Sequence, residues 1–198
     1  MIISVDTGNK HMKTENCEFN SGVEILDTLP GELEEVIEYE GKYYMTTNRR
    51  ISYMEDKTAD DRYYILTLFA IAKELSYREK NEGLLPQNLQ EIELLVGLPP
   101  AHYGKQRKKF REYFYRNGAV VEFCYKGISY RIVFKEVKSL YTGICRILSS
   151  CCEETVIGNT KNFINRYWWL YRRLYGFKIW TAGNGVCRFI RKWCHSVI

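Results

Sequence analysis

The chain has 198 residues, a formal net charge of +5 and an apolar content of 45%, enough for the packed core of one domain or one and a half. No apolar run approaches the roughly 18 residues of a membrane-spanning helix. Asp6 and Lys10 interrupt the N-terminus too early for a signal peptide. These features argue against a membrane partner and predict a cytoplasmic protein whose seven cysteines are mostly reduced thiols.

The first thirteen residues predict a strand, a tight turn and a return strand. The β-branched stretch Ile2–Val5 suits a buried strand, and Asp6 follows at its carboxyl end. Gly8 is expected to turn the backbone at positive φ and to leave amide groups open to an anion. Lys13 on the return strand can face the same anion. A carboxylate, a turn of amides and a lysine suit a magnesium–nucleotide phosphate group, whereas the simpler alternative is an ordinary β-hairpin with an Asx-Gly turn.

The next forty residues predict short strands separated by loops. Residues 17–23 indicate a strand and turn, and the acidic residues 24–38 indicate a loop. Tyr39–Met45 has the pattern of a hairpin that turns at Glu40-Gly41. The segment from there to about Lys57 is polar and is expected to be exposed.

A long amphipathic helix is predicted from Ala59 to Arg78. Thr58 and Asp61 have the spacing of a capping box at its start. Asn81–Gly83 is expected to end the element. The apolar residues recur at helical spacing and form one stripe, made of Ile65, Leu68, Phe69, Ala72 and Leu75.

The rest of the first part predicts a strand, a helix and a hairpin. Ile92–Leu98 is a buried strand, which Pro99-Pro100 ends while opening the helix Ala101–Arg116. Asn117-Gly118 indicates the end of that helix, and residues 120–137 form a hairpin around Lys126-Gly127. The order of elements is an α/β pattern with a mixed sheet. The helix is expected to turn its aromatic residues inward: Tyr103, Phe110, Tyr113 and Phe114.

The basic stretch Lys105–Arg111 has two interpretations. It could contact nucleic acid, or it could be a solvated helix face beside the buried aromatic residues. Residues 1–138 have a net charge of −2, which favours the solvated face.

Three segments resemble bacterial actin-like proteins of the plasmid-segregation type, within the actin, sugar-kinase and chaperone ATPase superfamily. The run D-x-G-x-x-x-x-K from Asp6 to Lys13 is similar to their first phosphate loop, D-x-G-x-G-N-x-K, although Lys10 replaces the second glycine. Leu95–Pro99, followed by Tyr103-Gly104, resembles the segment that follows their inserted subdomain. Asp61–Leu75 resembles the helix that precedes that segment in the family. The resemblance covers residues 1–138 and implies an actin-like, ribonuclease H-like N-terminal lobe.

The resemblance also implies roles for the first loop. Asp6 would orient the waters of Mg²⁺, Gly8 to Lys10 would donate backbone hydrogen bonds to ATP, and Lys13 would contact a phosphate oxygen. No catalytic residue is predicted. The candidate cofactor-binding residues are therefore Asp6, Thr7, Gly8, Asn9, Lys10 and Lys13.

Residues 139–198 are a different kind of sequence. They carry a net charge of +7, all four tryptophans and five of the seven cysteines, and are expected to form a weakly folded, aggregation-prone tail. The aromatic and basic segment 167–174 could instead contact nucleic acid or a membrane surface. The spacing argues against a zinc site built from Cys145, Cys151, Cys152, Cys187, Cys194 and His195.

A frameshift just after Lys138 would explain this tail. The actin-like family requires a second phosphate loop resembling D-I-G-G-Y-T-V-D, and no such run is present. Because tryptophan has the single codon TGG, Trp168-Trp169 read one base later gives Gly-Gly. Residues 166–173 in that frame are compatible with the missing loop, and the segments 139–147 and 188–197 are compatible with other family stretches.

The resemblance implies a filament-forming ATPase that moves plasmid or other DNA through an adaptor, with itself or a full-length relative as filament partner. Without the second loop, only half of the nucleotide cleft is present, and catalysis by positioning needs both halves. No measurable ATPase activity is therefore expected. The alternatives are a small module whose tail binds DNA or lipid, and a protein that caps the filaments of a relative.

Overall fold

The computed structural model describes residues 1–31, 35–83 and 88–141. Within these ranges the chain forms an α/β lobe with nine strands in one mixed sheet and two α-helices. The strands are β1 Ile2–Thr7, β2 His11–Lys13, β3 Glu18–Asn20, β4 Gly22–Leu26, β5 Val36–Tyr39, β6 Lys42–Thr47, β7 Gln90–Leu98, β8 Val120–Tyr125 and β9 Ile128–Tyr141. The helices are α1 Arg62–Asn81 and α2 Pro100–Tyr115.

The sheet has the order β3-β2-β1-β7-β9-β8-β5-β6-β4. Its centre is parallel, because β7 lies between β1 and β9 and runs in the same direction as both. The remaining pairs are antiparallel. The predicted mixed sheet is therefore confirmed. The two outermost strands, β3 and β4, are separated in sequence by Ser21 alone, so the sheet curls until its ends meet at that residue.

Helix α1 packs against β1 and β2, and its predicted apolar stripe is fully buried. The predicted capping box is wrong. The Thr58 hydroxyl donates to Asp56 Oδ1 at 2.6 Å, and Asp61 makes no side-chain cap. The first turn is instead capped by Asp60, whose Oδ1 accepts a 3.0 Å hydrogen bond from the amide of Arg62, where the helix begins.

Two expectations between residues 24 and 57 are also wrong. The predicted loop 24–38 contains the end of β4 and most of β5, because both strands pair with the more distant β6. The segment before α1 is not uniformly exposed, since Ile51 lies in the core and Lys57 is only 4% exposed. A local pattern cannot show which polar segments a distant part of the chain covers.

Helix α2 follows the Pro99-Pro100 entry as predicted and packs on β9 and β7. It meets α1 through Tyr113, whose ring stands edge-on to Tyr64 and whose hydroxyl accepts a 2.8 Å bond from the Tyr64 amide. The two hairpin turns are confirmed, with positive φ at Glu40-Gly41 and Lys126-Gly127. Strand β9 continues three residues beyond the expected boundary at 138. Predictions for residues 142–198, including the tail's binding segment and zinc candidates, lie outside the described residues.

Candidate functional site

Asp6 lies near the carboxyl end of strand β1, directly opposite Lys13 on β2. Its Oδ1 atom is buried and has no hydrogen-bond partner in the described part of the chain. Burial raises the pKa of Asp6 above 3.8, while the positive charges of Lys57 and Lys13 oppose that rise. An ionised carboxylate oxygen that no donor reaches is costly. This atom is therefore suited to accept hydrogen bonds from an added group, such as the water of a hydrated cation.

The turn after Asp6 is too tight for a side chain at Gly8. A Cβ atom there would lie 2.4 Å from the carbonyl oxygen of His11. The expected positive φ is wrong, because Gly8 is not among the described residues with that conformation. Glycine is required here for space rather than for backbone freedom.

The backbone amides of Gly8, Asn9 and Lys10 differ in whether they already donate a hydrogen bond within the protein. The Gly8 amide donates to the Asp6 carbonyl at 3.0 Å, so it is not free for an anion, contrary to the expectation. In the described part of the chain, no hydrogen bond uses the amides of Asn9 or Lys10. Two adjacent amides without partners can bind a phosphate oxygen.

The side chains of Thr7 and Asn9 are engaged within the protein. The buried Thr7 hydroxyl donates to the carbonyl of Gly97 on β7 at 2.7 Å. The Asn9 Oδ1 atom accepts a 2.7 Å bond from the Tyr63 hydroxyl at the start of α1. The side chains of these two residues therefore help to fix the shape of the loop.

Three lysines lie in or near the loop, and they differ in exposure. Lys13 lies 3.2 Å from Glu18 Oε1 and is partly exposed, and Lys10 is exposed. The buried cation near Asp6 is Lys57, whose Nζ donates to the Thr7 carbonyl and lies 4.6 Å from the centre of the Tyr63 ring.

Desolvation lowers the pKa of Lys57 to about 8, and the negative charge of Asp6 opposes that shift. The sequence analysis missed this residue because its neighbours are polar and its burial depends on contacts fifty positions away in the chain.

The donor set fits a hydrated Mg²⁺ and phosphate. Among the described residues, one carboxylate oxygen of Asp6 has no hydrogen-bond partner, and the amides of Asn9 and Lys10 donate no hydrogen bond. Lys13 and Lys57 add positive charge near Asp6. Within the described ranges, no three His, Cys, Asp or Glu residues are placed to hold a metal directly. Neither described helix has the length and apolar character needed to cross a membrane.

A family model for the N-terminal domain of actin-like proteins matches residues 4–144. The chain belongs to the actin-like proteins. The match begins in β1, contains the Asp6–Lys13 loop and ends three residues after β9. The predicted family and fold are thus confirmed. A comparison with curated protein sequences finds no significant match.

Solved structures show the same fold at low sequence identity. The AlfA filament bound to AMPPNP has a TM-score of 0.53 at 16% identity, with 73% of this chain and 55% of AlfA covered. The psk41 ParM protein in its apo form has a TM-score of 0.52 at 16% identity, with 71% and 49% covered. The archaeal actin homologue Ta0583 reaches 0.56 at 10% identity, with 90% and 68% covered. This actin-like chain therefore spans about half the length of AlfA and ParM.

Proposed function

We propose that this actin-like chain is the nucleotide-binding N-terminal lobe of a filament protein for plasmid or DNA segregation. The observation that carries the proposal is that, within the residues the structure describes, the buried Oδ1 atom of Asp6 and the amides of Asn9 and Lys10 in the loop that follows have no hydrogen-bond partner. A site of this kind binds Mg²⁺ together with a nucleotide phosphate. The AlfA structure, which has the same fold, is that of a filament with AMPPNP bound.

Each residue of the loop has a distinct task in this proposal. Asp6 holds a water of the Mg²⁺ hydration shell, and the amides of Asn9 and Lys10 donate to a phosphate oxygen of ATP. Lys13 reaches the phosphate by leaving Glu18, its partner at the surface. When bound, Mg²⁺ neutralises phosphate charge. By the family resemblance this lobe would supply one side of a nucleotide cleft, so we expect binding without measurable turnover.

Titration calorimetry of the full chain with Mg·ATP tests this proposal. Asp6→Ala should weaken binding at least tenfold, which corresponds to about 1.4 kcal/mol. Asp27→Ala is the matched control, because Asp27 is an exposed carboxylate in the turn after β4. Equal affinities for all three proteins would argue against a site at Asp6. Phosphate release above background that disappears in Asp6→Ala would contradict the expected lack of turnover.

Filament assembly is the wider role that we propose. The partner is a second copy or a full-length relative, and DNA would be reached only through an adaptor. Sedimentation of the chain with and without Mg·ATP measures self-assembly, and co-sedimentation with filaments of a relative measures capping. A DNA-binding tail would instead show salt-sensitive binding that is lost when residues 139–198 are deleted.

The frameshift after Lys138 remains a proposal about the gene. The family match reaches residue 144, so the proposed boundary lies close to the end of the matched domain. Reading the coding DNA in the plus-one frame after Lys138 decides the matter. A D-x-G-G-like loop in that frame would support the frameshift, and its absence would refute it.

A further inference from the structure

We propose that Ser21, which lies outside the phosphate-loop motif, is the positioning residue that orients the Asn9 amide towards a bound phosphate. The inference rests on the proposed nucleotide site and adds a residue to it. Ser21 is fully buried and is the single residue between β3 and β4, where the ends of the curled sheet meet.

Ser21 holds the loop at two carbonyl groups. Its hydroxyl donates to the Gly8 carbonyl at 2.7 Å, and its amide donates to the Lys10 carbonyl at 3.0 Å. Because each peptide unit is planar, a carbonyl and the amide of the following residue point in opposite directions. Fixing the Gly8 carbonyl towards Ser21 therefore turns the Asn9 amide away from Ser21.

Ser21 is itself held from the other side. Its carbonyl accepts a 3.2 Å bond from the amide of Ile51. The neighbouring Gly22 fits so closely that a Cβ atom there would lie 2.0 Å from the Arg49 carbonyl oxygen. The segment after β6 thus fixes the position of Ser21, and Ser21 fixes the loop.

The hydroxyl is the part of this arrangement that a substitution can remove cleanly. Ser21→Ala keeps the backbone bonds to Lys10 and Ile51 and deletes only the bond to Gly8. Ser76→Ala is the matched control, because the Ser76 hydroxyl on α1 is also hydrogen-bonded, to Tyr130 at 2.9 Å, away from the loop.

Two measurements on the full chain separate this inference from the proposed function. The first is the ¹⁵N order parameter of the Gly8–Lys10 amides without nucleotide. We expect a value of about 0.85 in the unmodified protein and in Ser76→Ala, and below about 0.6 in Ser21→Ala. Unchanged order parameters in Ser21→Ala would overturn the positioning role, whether or not the protein binds nucleotide.

The second measurement is titration with Mg·ATP. We expect Ser21→Ala to bind about tenfold more weakly than Ser76→Ala at equal thermal stability. If the unmodified chain does not bind Mg·ATP, the proposed function fails while the order parameters still decide the role of Ser21 in loop geometry. If the loop is loosened and the affinity is unchanged, the orientation of the Asn9 amide towards phosphate is refuted.

Discussion

Glu74 is a buried carboxylate on helix α1, and it anchors the turn between β2 and β3. Its Oε2 atom accepts bonds from the Thr14 hydroxyl at 2.6 Å and the Asn16 amide at 3.2 Å. Its Oε1 atom accepts from Asn16 Nδ2 and from Arg78 Nε, both at 2.8 Å. The turn joins Lys13 to Glu18, so the return strand of the candidate loop depends on this carboxylate.

We predict that Glu74→Gln destabilises the protein by about 3 kcal/mol. The amide of glutamine can present only one acceptor oxygen, so two of the four donors lose their partner. A hydrogen bond to a charged group contributes about 1.5–3 kcal/mol, which gives roughly 3–6 kcal/mol for two. The lower end is expected because Arg78 keeps its 3.0 Å contact with Glu15.

Urea unfolding of the full chain, followed by circular dichroism, measures this loss. With a slope of about 2 kcal/mol per molar urea, the midpoint should fall by about 1.5 M. Glu112→Gln is the matched control, since Glu112 lies exposed on α2 and its replacement should change stability by less than about 0.5 kcal/mol. Similar midpoints for the two variants would refute the anchoring role of Glu74.

Acid titration checks the same reasoning. Burial by itself would raise the pKa of Glu74, but the bonds from Thr14, Arg78 and Asn16 outweigh it and lower the pKa below 4.5. A lowered folded-state pKa gives stability that is present above pH 4.5 and is lost as pH falls through the folded value. The stability difference between the unmodified protein and Glu74→Gln should therefore shrink below about pH 4.5, and a constant difference would contradict the assignment.

Two further predictions concern the loop and the cation beneath it. Gly8→Ala should weaken Mg·ATP binding at least tenfold in calorimetry, because its Cβ would lie 2.4 Å from the His11 carbonyl oxygen. Gly104→Ala is the control, because a Cβ atom there would lie in open space on α2. It should leave Mg·ATP binding unchanged and stabilise the chain by about 0.5–1 kcal/mol, and an equal loss of binding in the two variants would argue against the steric account. Desolvation lowers the pKa of Lys57 to about 8 from 10.5, so the folded state penalises its charged form. The unfolding free energy of the unmodified protein relative to Lys57→Met should therefore rise by about 3 kcal/mol between pH 8 and 10.5, and a flat difference would show that Lys57 is not desolvated.

Local patterns in the sequence predicted much of the fold. The apolar stripe of α1, the proline entry to α2 and the two hairpin turns depend on residues that are close together in the sequence. The turns are those at Glu40-Gly41 and Lys126-Gly127. Each depends on side-chain periodicity or on backbone conformation within a few positions. The motif from Asp6 to Lys13 likewise identified the family, because its residues are adjacent in the chain.

The surroundings of the candidate loop could not be predicted in the same way. Lys57, Ser21 and Tyr63 reach the loop from segments 11 to 54 positions away, and none of them has a local signal that points to it. The expected positive φ at Gly8 was also wrong, and the need for glycine there comes from the space that the His11 carbonyl leaves.

The sequence by itself determined the strand, the turn and the carboxylate of this site. Only the tertiary structure decided which lysine is buried near Asp6 and which carbonyls of the loop accept hydrogen bonds from Ser21. The physical reason is that burial, and the hydrogen bonds that accompany it, depend on how the nine-stranded sheet curls and pairs distant segments.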